Sequence, residues 1–293
     1  MAAQSQTRPR TWAARTWAAR TWAARTTAAA LVLGCLVAPH GRVTAAPVDD
    51  PAASTRTAAE GDHAAGSQIA LHEPGQPVDA SQLGGTGPTV PGIDVSSHQG
   101  DVDWPHWWEQ GKRFAYVKAT EGTGYRNPYY YQQYNGSYDV GMVRGAYHFA
   151  LPDRSDGVAQ ANFFVDQGGG WSADGLTLPG TLDIEYNPYG EDTCYGLTPE
   201  EMVAWIRDFS ETYHFRTGRW PMIYTSTLWW DGCTGRAGDF TATNPVWVAR
   251  YAAEIGPLPH RWAVHSIWQH SSTPIDQNVF NGTMDDLVAL ARG

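Results

Sequence analysis

Cysteine is scarce in this chain, with three in 293 residues, and none forms a C-x-x-C pair or the Cys/His spacing of a structural zinc site. Long apolar runs are also missing. The stretch from Ala28 to Ala38 holds eleven residues, too few to span a bilayer as a permanent helix. Acidic residues are absent from the first 46 positions, which carry Arg8, Arg10, Arg15, Arg20, Arg25 and Arg42. Beyond them basic residues are thin: 14 of the 20 remain against 30 acidic ones, a balance of −16 before histidines. That excludes a nucleic-acid binder, which needs clustered Lys and Arg to meet phosphates.

The basic start, the apolar stretch and the small residues Thr44, Ala45 and Ala46 make a secretory signal peptide over 1–46, with cleavage near Ala45 or Ala46. The pentamer Thr-Trp-Ala-Ala-Arg, repeated three times over 11–25, is a long n-region rather than a solenoid. Cys35 falls in the discarded signal. Export predicts that Cys194 and Cys233 pair in a disulfide; two buried thiols are the alternative. Residues 47–89, rich in Ala, Gly, Asp, Pro and Ser, read as a flexible linker or pro-segment. The compact domain is expected over 90–293. A secreted, extracellular monomer follows, with no stable membrane association.

Inside that domain strand-like and helix-like segments alternate. Strands are expected at 92–95, 114–119, 143–150, 182–186 and 221–225, with helical segments at 103–111, 128–139 and 157–167. The clearest helix opens at Thr198-Pro199-Glu200-Glu201, with an N-cap, a proline at N1 and a capping-box glutamate. Later the helical pattern fades into strands near 245–251, 264–270 and 277–280, with a closing helix at 283–291. The fold class is therefore α/β, a barrel of five βα-like units whose last third lacks full helices, with the active site at the C-terminal ends of the strands.

Leu182-Asp183-Ile184-Glu185-Tyr186 places two carboxylates in an apolar run. In a strand, residues i and i+2 share a face, so Asp183 and Glu185 project together. Burying like charges side by side is costly and separates their pKa values. Other polar residues fall at expected strand ends: Asp94, Lys118, Tyr147, His148, Tyr224, Trp268 and Asp276. Tyr147, Tyr224, Trp268, Lys118 and His148 are the candidate substrate contacts, the first three by stacking an aromatic face on a bound ring. His148 and His98 suit hydrogen-bonding roles better than metal binding, and Lys118 suits an ion pair with a site carboxylate. No metal or cofactor is called for.

Six ordered stretches resemble family 25 glycoside hydrolases, the Chalaropsis-type lysozymes. They are Pro91-Gly92-Ile93-Asp94-Val95-Ser96-Ser97-His98-Gln99-Gly100, Phe114-Ala115-Tyr116-Val117-Lys118-Ala119-Thr120-Glu121-Gly122, Gly145-Ala146-Tyr147-His148-Phe149, Leu182–Tyr186, Ile223-Tyr224-Thr225-Ser226 and Ile267-Trp268-Gln269-His270. The resemblance implies a flattened TIM-like (β/α)5(β)3 barrel and hydrolysis of the β-1,4 bond between N-acetylmuramic acid and N-acetylglucosamine in bacterial peptidoglycan glycan strands. It makes Glu185 the general acid, Asp183 its carboxylate partner, and Asp94 and Asp276 the other acids of the site. The 2-acetamido group of the substrate points to substrate assistance; inverting and double-displacement routes stay open. A chitinase-like rival would carry a longer acidic ladder, whereas Gly180, Thr181 and Leu182 precede Asp183 here.

Overall fold

A computed structural model describes residues 62–76, 78, 80–84 and 87–293. The signal-peptide reading falls outside the described residues.

The elements run α1 (Ser67–His72), β1 (Thr89–Val95), α2 (Trp104–Glu109), β2 (Phe114–Glu121), β3 (Tyr125–Arg126), α3 (Tyr130–Asp139), β4 (Val143–Phe149), α4 (Gly157–Phe164), β5 (Thr181–Asp183), α5 (Pro199–Thr217), β6 (Met222–Thr225), α6 (Thr227–Cys233), β7 (Val246–Ala249), β8 (Ile267–Ser271), β9 (Asp276–Asn281) and α7 (Met284–Arg292). The sheet order is β1-β9-β8-β7-β6-β5-β4-β2-β3, and a β1–β2 pairing closes it into a barrel with β3 as a short appendage. Strands from β1 through β8 around that ring pair in parallel, while β9 runs antiparallel to both β8 and β1. Helices follow each of the first five barrel strands and none separates β7, β8 and β9. This is the (β/α)5(β)3 arrangement that the family resemblance implies, and the missing late helices are those expected from the fading helical pattern.

Local chemistry explains the helix boundaries. Asp103 caps α2 by accepting from the His106 amide, and Thr198 and Glu201 cap α5 reciprocally with Pro199 at its start. Thr283 and Asp286 do the same for α7. Helix α6, absent from the sequence reading, begins where Ser226 accepts from the Trp229 amide. Its seven residues are too few to display a helical period, and Trp229 and Trp230 are both buried.

Strand alternation divides the core in two. Tyr116, Tyr147, Tyr224 and Trp247 fill the barrel interior. Ile93, Val117, Ala146, Leu182 and Ile184 face outward beneath the helices, against residues such as Phe164, Trp205, Ile206 and Phe209. Gly145 makes the interior fit: a Cβ there would lie 2.3 Å from the Tyr116 ring. Cys194 and Cys233 are joined, tying the β5–α5 loop to the end of α6.

Residues 62–76 depart from the linker reading. They are packed on the barrel rim, with Ala65 and Ile69 each only 1% exposed within the interior cluster. Their composition lacks a core-building period, but the partners they need lie on the strands of the barrel.

Candidate active site

Strand β5 ends earlier than its apolar run. Three of its residues pair with β6, and the Ile184 amide donates to Tyr224 O before the chain turns away. Asp183 thus closes the strand and Glu185 sits just beyond it, on the same inward face. Both are fully buried, as are Asp94 and Lys118, and Asp276 is 9% exposed. Because β9 runs backwards, its first residue reaches the rim where β1 ends, and Asp94 and Asp276 are register partners.

Four buried carboxyls at one rim of the barrel hold their protons above the usual carboxylate range. Burial is the main cause throughout. It pushes Glu185 up to about 8 against the pull of three backbone amides, from Ile69, Gly66 and Gln68. Asp94 is pushed up to about 7, against hydrogen bonds from Asn278 and Gln269. Asp183 lies well above the usual range through burial and then the charge of Glu185. Asp276 does so through burial and then Asp94. For Glu185 desolvation, rather than the charge of its carboxylate neighbours, is the largest cause of the rise.

Hydrogen bonds set the orientations. Gln269 Nε2 and Asn278 Nδ2 donate to Asp94 Oδ2 at 2.9 and 2.6 Å. Tyr224 Oη donates to Gln269 Oε1 at 2.7 Å, and the Tyr251 hydroxyl lies 2.8 Å from the same oxygen. Trp247 Nε1 donates to Asn278 Oδ1 at 2.9 Å, holding that amide toward Asp94. Both oxygens of Asp183, and Oδ1 of Asp94, have no hydrogen-bond partner among the described residues. Among those residues they are buried polar atoms left without a protein partner.

Lys118 is fully buried and donates to Glu121 Oε2 at 2.6 Å. Burial alone would raise Glu121, but the His63 hydrogen bond and the Lys118 charge outweigh it and hold this carboxyl at about 2. The expected ion pair of Lys118 therefore exists, with a carboxylate outside the predicted quartet.

Two predicted substrate contacts are corrected. His148 bonds to Thr120 Oγ1 and Gln160 Oε1 and stacks on Phe209, and burial lowers its pKa to about 4. It lies on the helix side of β4, away from the carboxylates. Trp268 also faces away, because Ile267 and Gln269 point inward; its Nε1 donates to Arg250 O at 2.8 Å. Neighbours in one strand cannot share a face, so Tyr147 excludes His148 and Gln269 excludes Trp268. That rule was available from sequence. Tyr147 and Tyr224 do face inward. Missed were Glu121, Gln269, Asn278, Tyr251 and the rim aromatics Tyr186 and Tyr189. Among the described residues no group of three or more His, Cys, Asp or Glu could hold a metal ion.

Residues 93–279 match the family model described as glycosyl hydrolases family 25, and the chain belongs to that family. It is 46% identical over 212 residues to an N,O-diacetylmuramidase from Chalaropsis sp, covering 70% of this chain and all of that protein. It is 45% identical over 210 residues to lysozyme M1 of Streptomyces globisporus, covering 69% of this chain and 71% of the relative. The structure of a muramidase from Acremonium alcalophilum superposes with a TM-score of 0.68 at 50% identity, covering 70% of this chain and 99% of that one.

Proposed function

We propose that this protein is a secreted lysozyme hydrolysing the β-1,4 bond between N-acetylmuramic acid and N-acetylglucosamine in bacterial peptidoglycan. The observation that carries the reading is Glu185: a fully buried carboxyl, pushed up to about 8, beside Asp183 at the end of β5 in a family 25 barrel. A carboxyl still protonated near neutral pH is a competent proton donor to a glycosidic oxygen. As that bond breaks, positive charge grows on the anomeric carbon. Asp183, with two unpartnered oxygens, can accept the N–H of the muramic 2-acetamido group. The acetamide oxygen then attacks the anomeric carbon from the face opposite the departing sugar, and the proton of Glu185 leaves with that sugar. Water, deprotonated by the Glu185 carboxylate, opens the cyclic intermediate with net retention and restores the acid. Asp94 anchors Gln269 and Asn278 beside the site, and Asp276 is its register partner. One chain supplies all four carboxyls, so a monomer suffices. No helix among the described residues is long and apolar enough to cross a membrane.

Mass spectrometry of muropeptides released from purified walls tests the bond cut: a reducing muramic acid end is expected, and a reducing glucosamine end overturns the reading. Proton NMR of the first-formed product should show the β anomer; an α anomer eliminates substrate assistance. Glu185→Gln should abolish wall clearing while wall binding persists.

A further inference from the structure

We infer that residues 62–76 are a built-in inhibitor that occupies the glycan's place in the cleft until the segment is cut away or displaced. The inference rests on the glycosidase reading of the site and concerns its regulation.

The general acid is the first point of contact. The Gly66 amide donates to Glu185 Oε1 at 2.7 Å, and the Ile69 and Gln68 amides donate to Oε2 at 2.8 and 3.1 Å. Both carboxyl oxygens are engaged by donors fixed in the backbone. Three of the about four lone-pair directions of the carboxyl are taken by these amides, which crowds out a glycosidic oxygen while the bonds stand.

The segment then reaches along the rim on both sides of Glu185. Upstream, Asp62 bonds to Ser97 and lies 3.7 Å from Lys118, and His63 holds Glu121 through its amide and its ring at 2.9 and 3.0 Å. Downstream, the His72 imidazole lies flat on Tyr186, 4.2 Å between centroids and 7° between planes. An aromatic face at the mouth of a sugar cleft is a platform for a pyranose, and here it is covered. Glu73 takes the hydroxyls of Tyr186, at 2.9 Å, and Ser226. The contacts therefore run from the end of β1 across β2 and β5 to β6.

The fit at Gly66 is close enough to be diagnostic. Its φ of 80° lies in the left-handed region, and a Cβ would sit 2.2 Å from Tyr251 Oη and 2.4 Å from Tyr224 Oη. The barrel itself does not need the segment. The family match begins at residue 93, and the Chalaropsis relative is covered in full by 70% of this chain.

The test uses the full chain with a site-specific protease sequence inserted after Gly87, which is exposed. Clearing of purified peptidoglycan is measured on the intact chain, on the cleaved and diluted chain, and on an uncleaved Gly66→Val chain. Cleavage and Gly66→Val should each raise the initial rate about tenfold or more, since activity scales with the fraction of open molecules. A synthetic peptide of residues 59–76 should slow the cleaved enzyme, and its Gly66→Val counterpart should not. Equal rates for all three chains, with the peptide inert, overturn the inference and leave the lysozyme reading intact. If every form is inactive, the lysozyme reading fails, and competition decides occupancy. Displacement of the labelled peptide from the cleaved barrel by a peptidoglycan tetrasaccharide supports the inference; simultaneous binding of both overturns it.

Discussion

Replacing Lys118 by methionine keeps the volume and removes the charge that faces the carboxyl cluster. Lys118 and Glu121 have fully buried side chains 2.6 Å apart. At that separation the attraction is about 6 kcal/mol with an effective dielectric near 20. Desolvation of each ion opposes a large share of it, so the pair adds little net stability but leaves a costly orphan when broken. Lys118→Met leaves Glu121 with only its His63 and Tyr189 hydrogen bonds, and Glu121→Gln leaves Lys118 with Asp62 and the His63 carbonyl, so each costs up to about 3–5 kcal/mol. For a barrel of this size each kcal/mol moves Tm by about 2–4 °C, giving a fall of about 6–20 °C. The double variant Lys118→Met/Glu121→Gln removes both charges and should cost about as much as one single variant. Urea denaturation at pH 6.5, where Glu121 at about 2 is fully ionised in the folded chain, measures all four corners of the cycle. Additivity within about 0.5 kcal/mol refutes the reasoning, because it means the two charges do not depend on each other.

The raised carboxyls give stability a definite pH dependence. Asp94, Asp183, Glu185 and Asp276 hold protons to higher pH when folded than their ordinary values of 3.8 and 4.5. The folded state therefore binds more protons between about pH 4 and 8, and Tm should fall as pH rises through that window. Glu121 acts oppositely: its pKa of about 2 stabilises the fold above 4.5, and that contribution is lost as pH drops toward 2. Tm measured from pH 3 to 8 should peak near about 4–5, and a rise between pH 5 and 8 contradicts the assignment. Opening the Cys194–Cys233 bridge, whose ends are 39 residues apart, should cost about 4 kcal/mol by loop-closure entropy. A Cys194→Ala/Cys233→Ala chain with an unchanged urea midpoint shows that the loop is held by packing alone.

Local pattern accounts for much of this protein. Alternation put Asp183 and Glu185 on one face, and Leu182 and Ile184 do lie on the other. Capping chemistry marked α5 at its first residue, and the fading of helical pattern after β6 foretold strands without helices between them. These features depend on neighbours a few positions apart, so they are legible in a linear string. Period two says that Tyr147 and His148, or Trp268 and Gln269, cannot share a face, but not which of each pair lies inside. Glu121 became visible only once the Lys118 ammonium was seen to reach it. The segment around Gly66 reads as featureless because its partners are the Glu185 carboxyl, 119 positions away, and the Gln269 amide beyond it. Composition and periodicity determined the barrel and its acids; closure of the barrel alone decided which side chains face the cavity and what lies across its mouth, since those contacts join residues that no short-range pattern connects.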